Sequence, residues 1–162
     1  MNSILEFSEF FKKLKKLNYL ILGSLIILII LALFSGQYSI PPIDRDEARF
    51  AQASSQMIQS GDYVNIKFQD EIRAKKPIGI YWLQAFSAKI FGQENIGSYR
   101  IPSLLSSILT LIFVGLITRL IFPLYHTLIV TLLFASSIVF IGEAHLAKTD
   151  ATLLCLICVQ QY

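Results

Sequence analysis

Three groups of charged residues carry types that do chemistry. Asp44, Arg45, Asp46, Glu47 and Arg49 fill all but one position of "DRDEAR". Arg73, Lys75 and Lys76 stand in "RAKKP", and Glu143, His145, Lys148 and Asp150 stand in "GEAHLAKTD". A lysine or arginine binds a phosphate. A carboxylate takes a proton from an attacking hydroxyl, or holds a metal that activates one. Set side by side, such groups could serve a phosphorylated lipid and a nucleophile together. Taken singly, each is equally a water-facing helix end, because charges gather wherever an apolar helix leaves a membrane. Asp46 and Asp150 stand out because each falls at a junction of helix and membrane surface, where ionisable groups tend to be functional.

The elements around these groups are apolar. The 162 residues are 54% hydrophobic and 15% charged, with a mean hydropathy of +0.60, against about 25% charged in a typical soluble domain. No Asp, Glu, Lys or Arg occurs from Leu17 to Ile43, from Ile101 to Thr118, or from Leu120 to Gly142. About 20 apolar residues cross a bilayer core. The expected fold is therefore all-α, a polytopic membrane protein with three full spans and part of a fourth. The expected order is a cytoplasmic lead at 1–16, span one at 17–34, an outer loop at 36–99, span two at 100–120, span three at 125–141 and the start of span four at 150–162. Only 12 residues follow Asp150; at about 1.5 Å each they cover about half of a bilayer. The sequence therefore reads as the N-terminal piece of a longer protein.

Orientation follows from Lys12, Lys13, Lys15 and Lys16 before span one. Basic residues beside a span favour the cytoplasmic side, so the N-terminus is expected inside and all three charged groups outside. A signal peptide would also begin with basic residues, but the apolar run here exceeds the usual h-region and no A-x-A site follows. The lead itself can lie on anionic lipid as a basic amphipathic helix. With no basic face clear of the membrane, nucleic acid is excluded as a partner.

Two amphipathic helices are expected in the outer loop. From about 46 to 60, Phe50, Ala51, Met57 and Ile58 share a face, and Gly61 supplies a stop. From about 78 to 91 the stretch is too short to span easily and carries Tyr81 and Trp82, which favour interfaces. "DYVNIKF" between them reads as extended and "QDEIRAKKP" as a charged turn. Pro102 is placed in the first turn of span two, where a missing N–H does no harm, and Arg119 can snorkel at its inner end. Cys155 and Cys158 form C-x-x-C, a redox pair or half of a zinc site in principle. Without a second ligand pair, two small apolar residues of a membrane helix is the better reading.

The stretch from Asp44 to Leu105 resembles the first outer loop of bacterial GT-C class membrane glycosyltransferases, the lipid A aminoarabinose transferases and the protein O-mannosyltransferase-like group. The matching residues are Asp46-Glu47, Phe50-Ala51, Ser60-Gly61-Asp62, Lys76-Pro77, Tyr81-Trp82, Phe91-Gly92 and Arg100, in that order. "AKTDATLL" is similar to a second acidic motif and puts Asp150 there. The resemblance implies a bacterial inner membrane enzyme that moves a sugar from a polyprenyl-phosphate donor to a lipid or protein acceptor at the periplasmic face. It implies Asp46 and Asp150 as catalytic carboxylates, and Glu47, Arg49, Lys76, Tyr81 and Arg100 as substrate-binding residues, with Lys76 on the donor phosphate. The family has further spans and a soluble C-terminal domain, so this chain alone is expected to be inactive or nearly so. In the aminoarabinose branch the residue before Lys-Pro is commonly acidic and can join a divalent metal site; Lys75 does not support one here, and the cofactor stays open.

Two other readings share these residues. A non-catalytic membrane remnant or interaction subunit would keep the same spans. A transporter fragment predicts ionisable groups or broken helices at mid-span, and the uncharged span centres count against it.

Overall fold

The computed structural model describes residues 2–73 and 76–162, with side chains for 16–73 and 76–162. Among the described residues the regular structure is helical apart from one small hairpin. Helix α1 (Asn2–Phe34) is a single helix over both the basic lead and the first apolar run, with no break between them. Then follow α2 (Arg45–Ser60), β1 (Lys67–Phe68), β2 (Glu71–Ile72), α3 (Gly79–Phe91), α4 (Ile96–Ile121), α5 (Leu124–Ala135), α6 (Ile138–Ala144) and α7 (Asp150–Gln161).

Lys16–Phe34 and Ile96–Ile121 are long and apolar enough to cross a membrane. The expected third span is not one straight helix. α5 and α6 meet at 67° and make a third crossing only if the bent pair is one broken span. Ser136 and Ser137 occupy the break, and Ser137 N–H bonds the carbonyl of Phe134 instead of continuing the α ladder. Serine pairs are among the usual causes of a sharp bend.

α4 also starts earlier than expected. Asn95 caps it by accepting from Gly97 N–H at 2.8 Å, so Pro102 lies inside the helix, not in its first turn. A proline there leaves the carbonyl four residues back, that of Ser98, without its helical donor. Ser87 of α3 takes the vacancy: its Oγ donates to Ser98 O at 2.6 Å. The proline thereby becomes a docking point between α3 and α4.

α2 is built as its sequence dictates. Asp44 is the N-cap and accepts from Asp46 N–H, and Gly61, at φ 71°, closes the helix in the left-handed region that glycine enters without cost. The spacing of Glu47, Phe50, Ala51, Ser54 and Met57 puts all five on the buried face. Phe50, Ala53 and Met57 pack with Ile66, Ile80, Tyr81 and Ala85 in one core. A second core, between the long helices, joins Leu33, Leu104, Leu111, Ala135, Phe140 and Ala144.

The hairpin of β1 and β2 turns at Gln69, whose φ of 58° is unusual for a side-chain-bearing residue. Gln56 of α2 holds it: Gln69 N–H donates to Gln56 Oε1 at 2.9 Å, and Gln56 Nε2 donates back to Gln69 O at 3.3 Å.

Candidate active site

The centre of the polar region is an ion pair with no exposed surface. Arg100 Nε lies 2.6 Å from Glu47 Oε1, and both side chains are 0% exposed. Arg100 uses every donor it has: Nε and Nη2 on Glu47, Nη1 on the carbonyls of Gln37 and Ile40, and Nη2 again on that of Pro41. Glu47 also accepts from the N–H of Ile43 and of Ala147. The pair thus joins the segment between α1 and α2, the start of α2, α4 and the loop before α7.

That loop, residues 145–149, carries the second acidic motif. Ala147 is held on both sides of its peptide unit. Its N–H donates to Glu47 Oε1 at 3.1 Å, and its carbonyl accepts from Gln84 Nε2 at 2.9 Å. Gln84, buried in α3, accepts in turn from Ser54 of α2. His145 sets one ring nitrogen 2.9 Å from Ser35 O and the other 2.7 Å from Ile141 O. These contacts at Ala147 and His145 anchor the loop that leads into Lys148, Thr149 and Asp150.

Lys148 Nζ reaches Asp44 Oδ2 at 2.8 Å and Glu143 Oε1 at 3.6 Å. The hydrogen bond from Lys148, with that from Asp46 N–H, holds the Asp44 carboxyl below the usual carboxylate range. Burial draws the Lys148 ammonium down, but its bond to Asp44 and the charges of Glu143, Asp44 and Asp150 outweigh this and leave its pKa raised. The clasp stands two residues before Asp46 on one side and two before Asp150 on the other. It therefore ties the N-cap of α2 to the loop before α7, and the acidic residues in the first turns of these helices complement the helix dipoles.

The expected site residues fall in three places. Lys76 and Asp150 line the same cleft, of about 670 Å³, with Pro77, Trp82, Leu83 and Phe86 of the α3 side and Leu153 and Leu156 of α7. Asp46 is exposed in the first turn of α2 and pairs with Arg49 at 3.2 Å. Three residues expected on substrate lie inside instead. Glu47 and Arg100 satisfy one another, and Tyr81 is fully buried, stacked on Phe50 and accepting from Arg73 Nε through its hydroxyl. Glu47 faces inward because it shares the buried spacing of Phe50, Ala51 and Ser54. The pairing of Asp44 with Lys148 was not foreseen from sequence; the D-x-x-E spacing of a helix cap was the available signal for Asp44.

Among the described residues no three His, Cys, Asp or Glu side chains come together as ligands for a metal ion. Lys75, on which the sequence argument about metal turned, lies outside the described residues.

The architecture is that of a membrane glycosyltransferase fold, as two comparisons show. The crystal structure of ArnT from Cupriavidus metallidurans in the apo state superposes with a TM-score of 0.77 over 84% of this chain and 25% of that one, at 21% identity, which shows the shared fold. Residues 75–162, just over half of the chain, match the family described as dolichyl-phosphate-mannose-protein mannosyltransferase, and the chain belongs to that family. Among curated relatives, an undecaprenyl phosphate-alpha-4-amino-4-deoxy-L-arabinose arabinosyl transferase 2 of Pseudomonas fluorescens strain Pf0-1 is 33% identical over 132 residues, 81% of this chain and 23% of its own length. That of Pseudomonas fluorescens strain Pf-5 is 43% identical over 74 residues, 46% of this chain and 12% of its own length. The corresponding transferase of Yersinia pestis strain Pestoides F is 32% identical over 106 residues, 65% of this chain and 19% of its own length. The chain thus spans less than a quarter of each of these three relatives.

Proposed function

We propose that this chain carries the outer-face part of a glycosyltransferase site that moves a sugar from a polyprenyl-phosphate donor to an acceptor at the periplasmic surface of a bacterial inner membrane. The observation that carries the reading is the cleft shared by Lys76 and Asp150. It sets one ammonium and one carboxylate at the head of apolar walls from α3 and α7, and a long lipid with a phosphate head matches that distribution. The donor class also has support from names: dolichyl phosphate in the family's description and undecaprenyl phosphate in the relatives' are both polyprenyl phosphates.

In this reading Lys76 neutralises the donor phosphate and stabilises it as it leaves. Asp150 faces the sugar from across the cleft, and Asp46, held by Arg49, orients the acceptor or takes its proton. Glu47, Arg100 and Tyr81 act at a distance, by holding the loop and helices that place these groups. Orientation with the N-terminus inside rests on the lysines before the first span.

The test uses membranes containing the native-length gene product and a polyprenyl-phosphate donor with a labelled sugar. Lys76→Ala, Asp46→Asn and Asp150→Asn are each expected to lower transfer about 100-fold or more with membrane insertion unchanged. Full transfer in the Asp46→Asn and Asp150→Asn proteins would remove the catalytic assignment, and no transfer by the unaltered protein would remove the activity.

A further inference from the structure

Two side chains tie the carboxyl end of α1 to that of α6. A helix leaves its last carbonyls without helical donors. Gln37, buried just after α1, turns both protons of its amide nitrogen on such groups. Its Nε2 donates to Leu33 O of α1 at 2.7 Å and to Ala144 O of α6 at 3.1 Å. His145, the residue after α6, makes a matching bridge. Its Nδ1 lies 2.7 Å from Ile141 O of α6, and its Nε2 lies 2.9 Å from Ser35 O, the carbonyl next after α1. Ile141 O is open to the ring because the backbone N–H of His145 bonds Gly142 O instead.

All four partners are carbonyl oxygens, which only accept, so four donors are needed. The Gln37 amide supplies two in any state. A neutral imidazole supplies one and turns a lone pair on the other carbonyl; the imidazolium alone supplies two. The surroundings favour that charge, because partial negative charge collects at helix carboxyl ends and two such ends meet this ring. We propose that His145 is a proton-operated staple. With both ring nitrogens protonated it joins α1 to α6 and anchors the loop that runs to Asp150. With one proton lost it repels one of the two carbonyls, and that end is released while Gln37 keeps its hold. His145 is thus a positioning residue, which reaches Asp150 only through the loop.

The elements around this loop carry other ionisable groups: Glu143 on α6, Lys148 in the loop, Asp44 and Glu47 at the start of α2, Arg100 on α4 and Asp150 on α7. Glu143 and Asp44 are paired with Lys148, and Glu47 with Arg100. Residues 34–37, at the end of α1, include none. Among the described residues the ring bonds only the two carbonyls, so its own proton operates the bridge.

Two measurements on the native-length product decide the proposal without any transferase activity, both taken from about pH 5 to about pH 9, either side of the ordinary imidazole range. Nitrogen-15 NMR of histidine-labelled protein, with the His145 signals identified by their loss in His145→Gln, is expected to show a proton on both ring nitrogens at the acid end. Signals of one neutral tautomer there would overturn the staple. Thermal unfolding gives the second readout, the Tm of the unaltered protein less that of His145→Gln. A bond that needs the added proton is present at low pH and lost as pH rises, so this difference is expected to shrink by a few degrees across the range. A difference that is constant, or that grows with pH, would overturn the staple. Transfer then tests the link to Asp150, which rests on the transferase reading. The ratio of kcat in the unaltered protein to kcat in His145→Gln is expected to fall several-fold as pH rises. A ratio independent of pH would overturn that link. An unaltered protein that transfers no sugar would count against the transferase reading, while the ring spectrum and the Tm difference still decide the staple.

Discussion

Glu47 and Arg100 meet inside the protein at 2.6 Å, 53 residues apart in the chain, and between them they bind five backbone groups, four from the stretch 37–43 and one at Ala147. A buried pair of this kind gains little over a well-packed apolar pair, but losing one partner strands the other charge. Arg100→Met or Glu47→Gln is expected to destabilise the protein by about 3–5 kcal/mol, measured by thermal unfolding in detergent. The double variant should recover part of that loss, because neither charge is then stranded. Single variants as stable as the unaltered chain would show that the pair does not hold these segments.

Gly97 sits where the segment after α1 crosses α4. A Cβ at this position would lie 2.6 Å from the Tyr38 ring and 3.0 Å from Gln37 O, and Gln37 O is one of the carbonyls that Arg100 binds. Gly97→Ala is expected to cost about 1–3 kcal/mol by overpacking. Tyr38→Ala made in the same protein should return most of it, a coupling that a double-mutant cycle reads directly.

Ser87 and Pro102 should be coupled too, although they do not bond one another. Ser87→Ala strips the hydroxyl from Ser98 O and is expected to cost about 1 kcal/mol. In a Pro102→Ala background the helix supplies its own N–H to that carbonyl, so the same Ser87→Ala change should cost less. Equal costs in the two backgrounds would disprove the account of the proline.

The Asp44–Lys148 clasp has a defined pH dependence. Asp44 has its pKa lowered in the folded protein, so its contribution is present above the ordinary carboxylate pKa of about 4 and fades as pH falls through the lowered value. Lys148 has its pKa raised, so its contribution is complete below about 10 and fades as pH climbs through the raised value. Lys148→Met should therefore lower the Tm between these limits and lose its effect beyond the acid one. A Tm difference independent of pH would point to packing of the lysine stem instead.

Phe86, largely exposed on α3, lines the larger cleft. If a lipid chain covers it there, Phe86→Ser should raise donor KM about tenfold with kcat unaltered. An unchanged KM would place the lipid elsewhere.

How much of this was legible in the sequence depends on range. The first two apolar runs and the helix expected from about 46 to 60 are local patterns, and the chain follows them. Pro102 was misplaced because its consequence lies in another helix: only Ser87 explains why α4 tolerates it. Ser136-Ser137 offers a weak bending signal that an otherwise apolar run obscures. Glu47 looked like a surface acid because its charge drew more notice than its spacing with Phe50 and Ser54. Lys148 and Asp44 stand 104 residues apart, and no periodicity in either segment announces the other. Lys76 and Asp150 became neighbours on one cleft only once α3 and α7 were packed on α4.

The double grip on Ala147 has a consequence for biogenesis. Glu47 and Gln84 emerge from the ribosome well before residue 147 does. Until it arrives, Glu47 Oε1 lacks one of its donors and Gln84 lacks its acceptor, so the first outer loop waits with an open latch for a peptide made later. The acid of α7 is thus set in place by the closing of that latch, and a chain stalled during insertion would offer quality control a polar gap where the finished protein has none.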